Sequence, residues 1–152
     1  MTEICIQKGL RLLELSLSGG SVYYFPIALG KNPQGPKQQA GDNKTPEGEY
    51  FVCTRNEQSK YHLFLGLSYP NQSDATKALQ KGYIEQAVWQ DISAQLASSQ
   101  RPPWDTILGG AIGIHGGGLV PNWTAGCIAL TDDAMDFLWP HVSLGTKVQI
   151  LP

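Results

Sequence analysis

The residues best suited to chemistry lie in the segment IHGGGLVPNWTAGCIAL, residues 114–130. His115 leaves an apolar run into a glycine-rich stretch, and twelve residues later Cys127 follows Gly126 at the start of another apolar run. The thiolate, not the thiol, is the nucleophile, and a free thiol is mostly protonated near neutral pH, so a reactive cysteine needs an imidazole to take its proton. His115 is the candidate base for Cys127. Gly126 lets a substrate carbonyl approach the backbone closely, and the amides of Gly126 and Cys127 are the candidate donors to an oxyanion. No acidic side chain stands beside the histidine, which leaves the carbonyl of Gly116 to accept from the second ring nitrogen and orient the ring.

A bland reading competes with this one. Cysteine is among the most buried residue types, and a strand cysteine near Ile128 and Leu130 is more often core than catalyst. That reading holds for Cys5 and Cys53, which sit in apolar strands with no histidine nearby. Trp123 and Tyr69 are candidate walls of a peptide groove, because aromatics supply apolar contact with a polar edge, with a place in the core the equal alternative for each. Thr124 is a candidate for hydrogen bonding to substrate or for closing the turn. Thr45-Pro46-Glu47-Gly48 has turn composition, Lys37 is a candidate contact for a substrate carboxylate but, as a lone loop lysine, is expected to be solvated, and His62 reads as a structural histidine in a strand. Asp132 and Asp133 read as helix-start residues.

The elements that must position these groups are mainly strands. EICIQ, RLLELSL and SVYYFPIAL carry partial alternation, with Gly19-Gly20 marking a hairpin turn. Residues 30–48 have no apolar period and form a long surface loop. EYFVCTR and KYHLFLGL are two further strands. From Ser73 to Ser99 the pattern changes: Ile84, Val88, Ile92 and Leu96, joined by Ala87, fall on one helical face, and Gly82 separates a short helix from this longer one. Pro102-Pro103 stops the helix, AIGI returns to a strand ending at His115, and CIALT follows the glycine-rich loop. Thr131 caps a last helix, and Gly145 precedes a closing strand, KVQIL. The expected fold is β-rich α+β with a helical insertion and a short C-terminal helix.

Bulk properties narrow the function. At 152 residues the chain suits one domain, 1–152. A net charge of -2 and a pI near 5.8 provide no basic footprint, so nucleic acid is not an expected partner. No apolar run reaches the roughly 20 residues of a bilayer span, and MTEICIQKGL lacks signal-peptide character. Three widely spaced cysteines show neither CxxC pairing nor zinc-ligand spacing, so no metal and no cofactor is expected.

The sequence resembles the L,D-transpeptidase catalytic domain (YkuD-like) family in His115-Gly116 and Thr124-Ala125-Gly126-Cys127-Ile128-Ala129. The resemblance continues in Gly35-Pro36-Lys37, Gly41-Asp42, Thr45-Pro46-Glu47-Gly48-Glu49-Tyr50, and Tyr69-Pro70-Asn71 with Asp74, and covers most of the chain. Ala125 stands where the family usually has a second histidine and Ala129 where it has asparagine, and the His-to-Cys interval is short, as in the YafK-like branch. The resemblance implies a β-sandwich or barrel in which Cys127 is nucleophile, His115 base and Gly116 the orienting carbonyl. It implies action on peptidoglycan stem peptides through a thioester, by a monomer in the cell envelope or on the extracellular face. Transfer to an amine would be transpeptidation, and transfer to water L,D-carboxypeptidase or endopeptidase activity; a non-catalytic wall-binding module is the reading of another class. A papain-like peptidase would normally place its cysteine early and on a helix.

Overall fold

Alternation along the first strands decides which way the sheet faces. In β1 (Glu3–Gln7) and β2 (Leu12–Ser16), Ile4, Ile6, Leu13 and Leu15 are buried while their neighbours are not, the pattern of a sheet packed on one side. The computed structural model describes all residues, 1–152. After β3 (Val22–Pro26) and the long loop come β4 (Gly48–Ser59) and β5 (His62–Leu67), then helices α1 (Gln72–Gln80) and α2 (Gln86–Ala97). The short strands β6 (Gly113–His115) and β7 (Ile128–Ala129) precede α3 (Asp132–Leu138), a 3-10 turn at Trp139–His141, and β8 (Lys147–Leu151).

The eight strands form one curled sheet in the order β3-β2-β1-β8-β4-β5-β6-β7. β1 runs parallel to β8, and β8 antiparallel to the first half of β4. β4 then carries a register shift between Val52 and Thr54 and pairs with β5; such a bulge bends a strand and raises its twist, so one long strand serves both halves of the curl. The two edges meet at one point. Ala28, just past β3, exchanges hydrogen bonds with Ala129 of β7, 2.9 Å and 3.0 Å long. The fold is therefore mainly β, as expected, with a half-barrel shape.

Inside the curl, a cluster of 21 buried residues includes Leu65, Leu67, Ile114, Ile128, Leu130, Met135 and Leu138. A separate cluster of five, Ala75, Ala78, Ile84, Ile92 and Leu108, lies between the two helices of the insertion. Ile92 buries on α2 with Val88 and Leu96 packed at its margin, as the helical period predicts, but Ile84 is buried from the turn before α2 and Ala87 is exposed. α1 starts at a capping box in which Asn71 and Asp74 each accept the other's amide. Thr131 caps α3 by accepting from the Ala134 amide. The strands flanking the chemistry are shorter than expected: in AIGI only Gly113 onward is strand, and in CIALT only Ile128–Ala129.

Candidate active site

Parallel pairing of β6 with β7 sets Ile114 level with Ile128 and His115 level with Ala129, so Cys127 arrives beside Gly113. Its Sγ accepts from the Gly113 amide and lies 3.4 Å from both that nitrogen and the Ala111 carbonyl, to which the thiol can donate. Ala111 takes a left-handed φ of 54°, an uncommon conformation for a residue with a side chain. One strand away, His115 Nδ1 lies 2.6 Å from the Gly116 carbonyl oxygen. A carbonyl can only accept, so Nδ1 carries the hydrogen and Nε2 keeps its lone pair. Tyr61 stacks on the imidazole with centroids 4.4 Å apart, and Phe64 lies roughly parallel to it at 6.4 Å.

Three glycines are required by crowding. A Cβ on Gly113 would sit 2.5 Å from the Phe64 ring, and one on Gly116 2.6 Å from Asp132 Oδ1. Gly126 has φ +146°, and a Cβ there would lie 2.8 Å from the Lys44 carbonyl. Just after the histidine, Asp132 accepts from the Gly117 amide at 2.8 Å, tying the glycine-rich loop to the start of α3.

Several expected site residues have other employment. The Gly126 amide donates to Thr124 Oγ1 at 3.0 Å, so it is not free for an oxyanion; the Cys127 amide makes no hydrogen bond within the molecule and remains the available donor. The Thr124 hydroxyl in turn donates to the Cys127 carbonyl at 2.7 Å, and closes the turn rather than facing a ligand. Tyr69 is 1% exposed and its hydroxyl donates to the Leu108 carbonyl, so it packs as a core residue that borders the cavity beside α1. Trp123 is 49% exposed on the loop leading into Cys127, with the Lys31 ammonium 5.1 Å from its ring centre.

A family model for the L,D-transpeptidase catalytic domain, YkuD, matches residues 2–150. The chain belongs to this family. Among solved structures, Pgp2, the helical cell shape determining protein of Campylobacter jejuni, is 21% identical with a TM-score of 0.65, covering 98% of this chain and 46% of that one. Bd1075 of Bdellovibrio bacteriovorus is 22% identical with a TM-score of 0.62, covering 99% and 47%. An L,D-transpeptidase from Mycobacterium smegmatis is 12% identical with a TM-score of 0.58, covering 99% and 58%. The chain thus spans about half the length of these structures, and at such identities the likeness is one of fold. No curated protein matches it by sequence.

In this member of the L,D-transpeptidase family the loop 30–48, expected at the surface, is strapped to the site from below. Thr45 is fully buried; its hydroxyl accepts from the Gly30 amide at 3.0 Å and donates to the Gly126 carbonyl at 2.8 Å. In a trans peptide the C=O and the next N–H point to opposite sides, so holding the Gly126 oxygen aims the Cys127 N–H away from Thr45. Lys8, also buried, donates to the Gly35 and Thr45 carbonyls and pairs with Glu47 at 3.0 Å. Lys37 is 5% exposed rather than solvated, and pairs with Asp42 at 2.9 Å. Asp42 also accepts from the amides of Gln38, Gln39 and Lys44. Of these, only the mixture of Lys, Asp and turn residues was visible in the sequence.

The electrostatics define the resting state. Burial pushes the Cys127 thiol up from its ordinary value, against the opposing pull of the Gly113 amide and the Lys37 charge. Burial pushes the His115 imidazole down, against its bond to Gly116. Both shifts favour the neutral form of the group concerned. His62, expected to be structural, is an exposed residue with positive φ, paired with Asp136 at 2.5 Å, which raises its pKa. Cys5 and Cys53 lie half-buried on their strands, outside the core cluster.

Proposed function

We propose that Cys127 and His115 carry out acyl transfer on peptidoglycan stem peptides. The observation that carries this reading is the fixed tautomer of His115, one strand from a thiol whose amide is unengaged. Nε2 takes the Sγ proton as sulfur attacks the carbonyl of an L,D-linked bond, and the Cys127 N–H donates to the tetrahedral oxyanion. Collapse of the tetrahedral intermediate breaks the peptide bond, the imidazolium returns the proton to the departing amine, and a thioester remains. An amine from a second stem, deprotonated by His115, then attacks the thioester, restoring the thiol and forming a cross-link.

Cys127 is only partly buried, which favours a second reading in which water takes the amine's place and the product is a trimmed stem. The likeness to a helical cell shape determining protein supports a role in wall remodelling and cell shape. The substrate places the reaction in the cell envelope. Incubation with disaccharide-tetrapeptide and cross-linked muropeptides, followed by mass spectrometry with a Cys127→Ala control, separates the readings. Cross-linked or amino-acid-exchanged products lost in the control mean transpeptidation, and trimmed monomers mean hydrolysis. Unchanged muropeptides with folded protein would point instead to a wall-binding module without chemistry.

A further inference from the structure

Most of the sequence motifs outside the Cys–His segment converge on one place. Pro36 and Lys37, Glu47 to Glu49, and Asn71 with Asp74 line a cavity of about 400 Å3 between the long loop, the start of β4 and helix α1. Neither Cys127 nor His115 lines it. Its volume falls in the range of small-ligand sites. Part of its charge is already committed: Lys37 to Asp42, one Glu47 oxygen to Lys8, and Asp74 to the Tyr50 hydroxyl and the Asn71 amide.

The rest is not committed. Lys77 and Lys81, one turn apart at the end of α1, make no salt bridge, although the Lys77 charge is felt at Asp74, and Glu49 on β4 makes none either. Ammonium groups and carboxylate oxygens outside any salt bridge in the lining of one cavity suit a ligand carrying both charges, since a purely anionic or cationic ligand would meet repelling groups there. We propose that this cavity binds a short peptide with a free carboxylate and a free ammonium group, the carboxylate on Lys77 and Lys81 and the ammonium on Glu47 and Glu49.

This deepens the acyl-transfer reading and rests on it for the identity of the peptide as a stem. The cavity adjoins the candidate active site through the chain itself: Leu108, which lines it, is three residues before Ala111, whose carbonyl lies 3.4 Å from Cys127 Sγ, and Glu47 is two residues after Thr45, whose hydroxyl holds the Gly126 carbonyl, so a peptide seated here has its other end within reach of the thiol. The cavity then selects stems by their charged end while the chemistry takes place next door.

The test is calorimetric and NMR titration of Cys127→Ala protein with a synthetic stem-type tetrapeptide, N-acetyl-L-Ala-γ-D-isoGln-L-Lys-D-Ala, whose ionised groups are the lysine ammonium and the terminal carboxylate alone, alongside forms acetylated at the lysine amine or amidated at the C-terminus. Binding should shift resonances in residues 47–49 and 71–81. It should weaken about tenfold in the Lys77→Ala/Lys81→Ala double variant and in Glu49→Gln, the loss expected for a charge-assisted hydrogen bond. All three positions are exposed, so folding should be unaffected. Each variant should be indifferent to the blocked form that lacks its own partner group. Equal affinity in the variants, shifts confined to residues 111–127, or no binding would overturn the proposal. Muropeptide turnover by the unsubstituted chain is read separately: turnover with no cavity binding removes only this inference, and cavity binding with no turnover removes only the acyl-transfer reading.

Discussion

At the scale of single residues, burial favours the neutral forms of both Cys127 and His115. A lowered imidazole pKa keeps His115 able to accept a proton at pH values where an ordinary histidine would be charged. The acid limb of kcat/KM should therefore fall below the usual value of about 6.5. The raised thiol means that alkylation of Cys127 by iodoacetamide should climb with pH through and beyond neutrality, with no plateau near pH 7. A plateau there would reveal a preformed thiolate–imidazolium pair and overturn the neutral-pair assignment. In the proposed mechanism Thr45 is a positioning residue, touching no substrate but holding the carbonyl of the peptide whose N–H would face the oxyanion. Removing an oxyanion donor outright costs about 100- to 1,000-fold, so misaiming one in Thr45→Val should lower kcat by about 10- to 100-fold with little change in KM. Thr45→Ser should restore it. Cys127 alkylation should be unchanged in both, which a collapsed loop would not allow.

At the scale of elements, the helical insertion is stabilised by its own contacts. The pair α1 and α2 buries Ala75, Ala78, Ile84 and Ile92 against Leu108 in a cluster distinct from the sheet core. Ile92→Ala removes most of a fully buried side chain, at a cost of about 2–5 kcal/mol. Because elements with separate packing open separately, hydrogen exchange should accelerate across residues 72–97 while amides of β1, β2 and β8 keep their protection. Acceleration spread evenly over the sheet would show that insertion and sheet are one cooperative unit. The strands β6 and β7 are the opposite case: only three and two residues long, they are held by what surrounds them. Their sequence signal is correspondingly weak, since a two-residue strand has no period to read.

At the scale of the molecule, the catalytic cysteine candidate sits where the curled sheet joins its own edges. The exchange between Ala28 and Ala129 lies two residues from Cys127, and the adjoining bonds run from Thr124 to Leu29 and from Lys31 to Thr124. Ala28→Pro removes the N–H given to Ala129, so it should lower Tm and also muropeptide turnover, with the thiol still present. A lowered Tm with turnover intact would mean that the seam stabilises the fold without positioning the site.

Much of this arrangement was readable along the chain. The alternation of Ile4, Ile6, Leu13, Leu15, Val148 and Ile150, the four-residue recurrence of Val88, Ile92 and Leu96, and the Thr131 cap each depend on neighbours close in sequence. The His115-Gly116 and Gly126-Cys127 pairs could be singled out for the same reason, because the chemistry of a thiol, an imidazole and a crowded glycine belongs to the residue type. What the sequence could not show was where side chains with two plausible uses end up. Tyr69 went to the core, Thr124 to a turn, the Gly126 amide to Thr124, and Lys37 into a buried pair, each decided by a partner brought close only by folding. Thr45 lies 81 positions from the Gly126 carbonyl it holds. Residue types and local periodicity determined which groups could react and which segments form strands and helices; only the closing of the sheet decided which polar atoms were already satisfied and which were left free, because a hydrogen-bond partner distant in sequence leaves no local pattern.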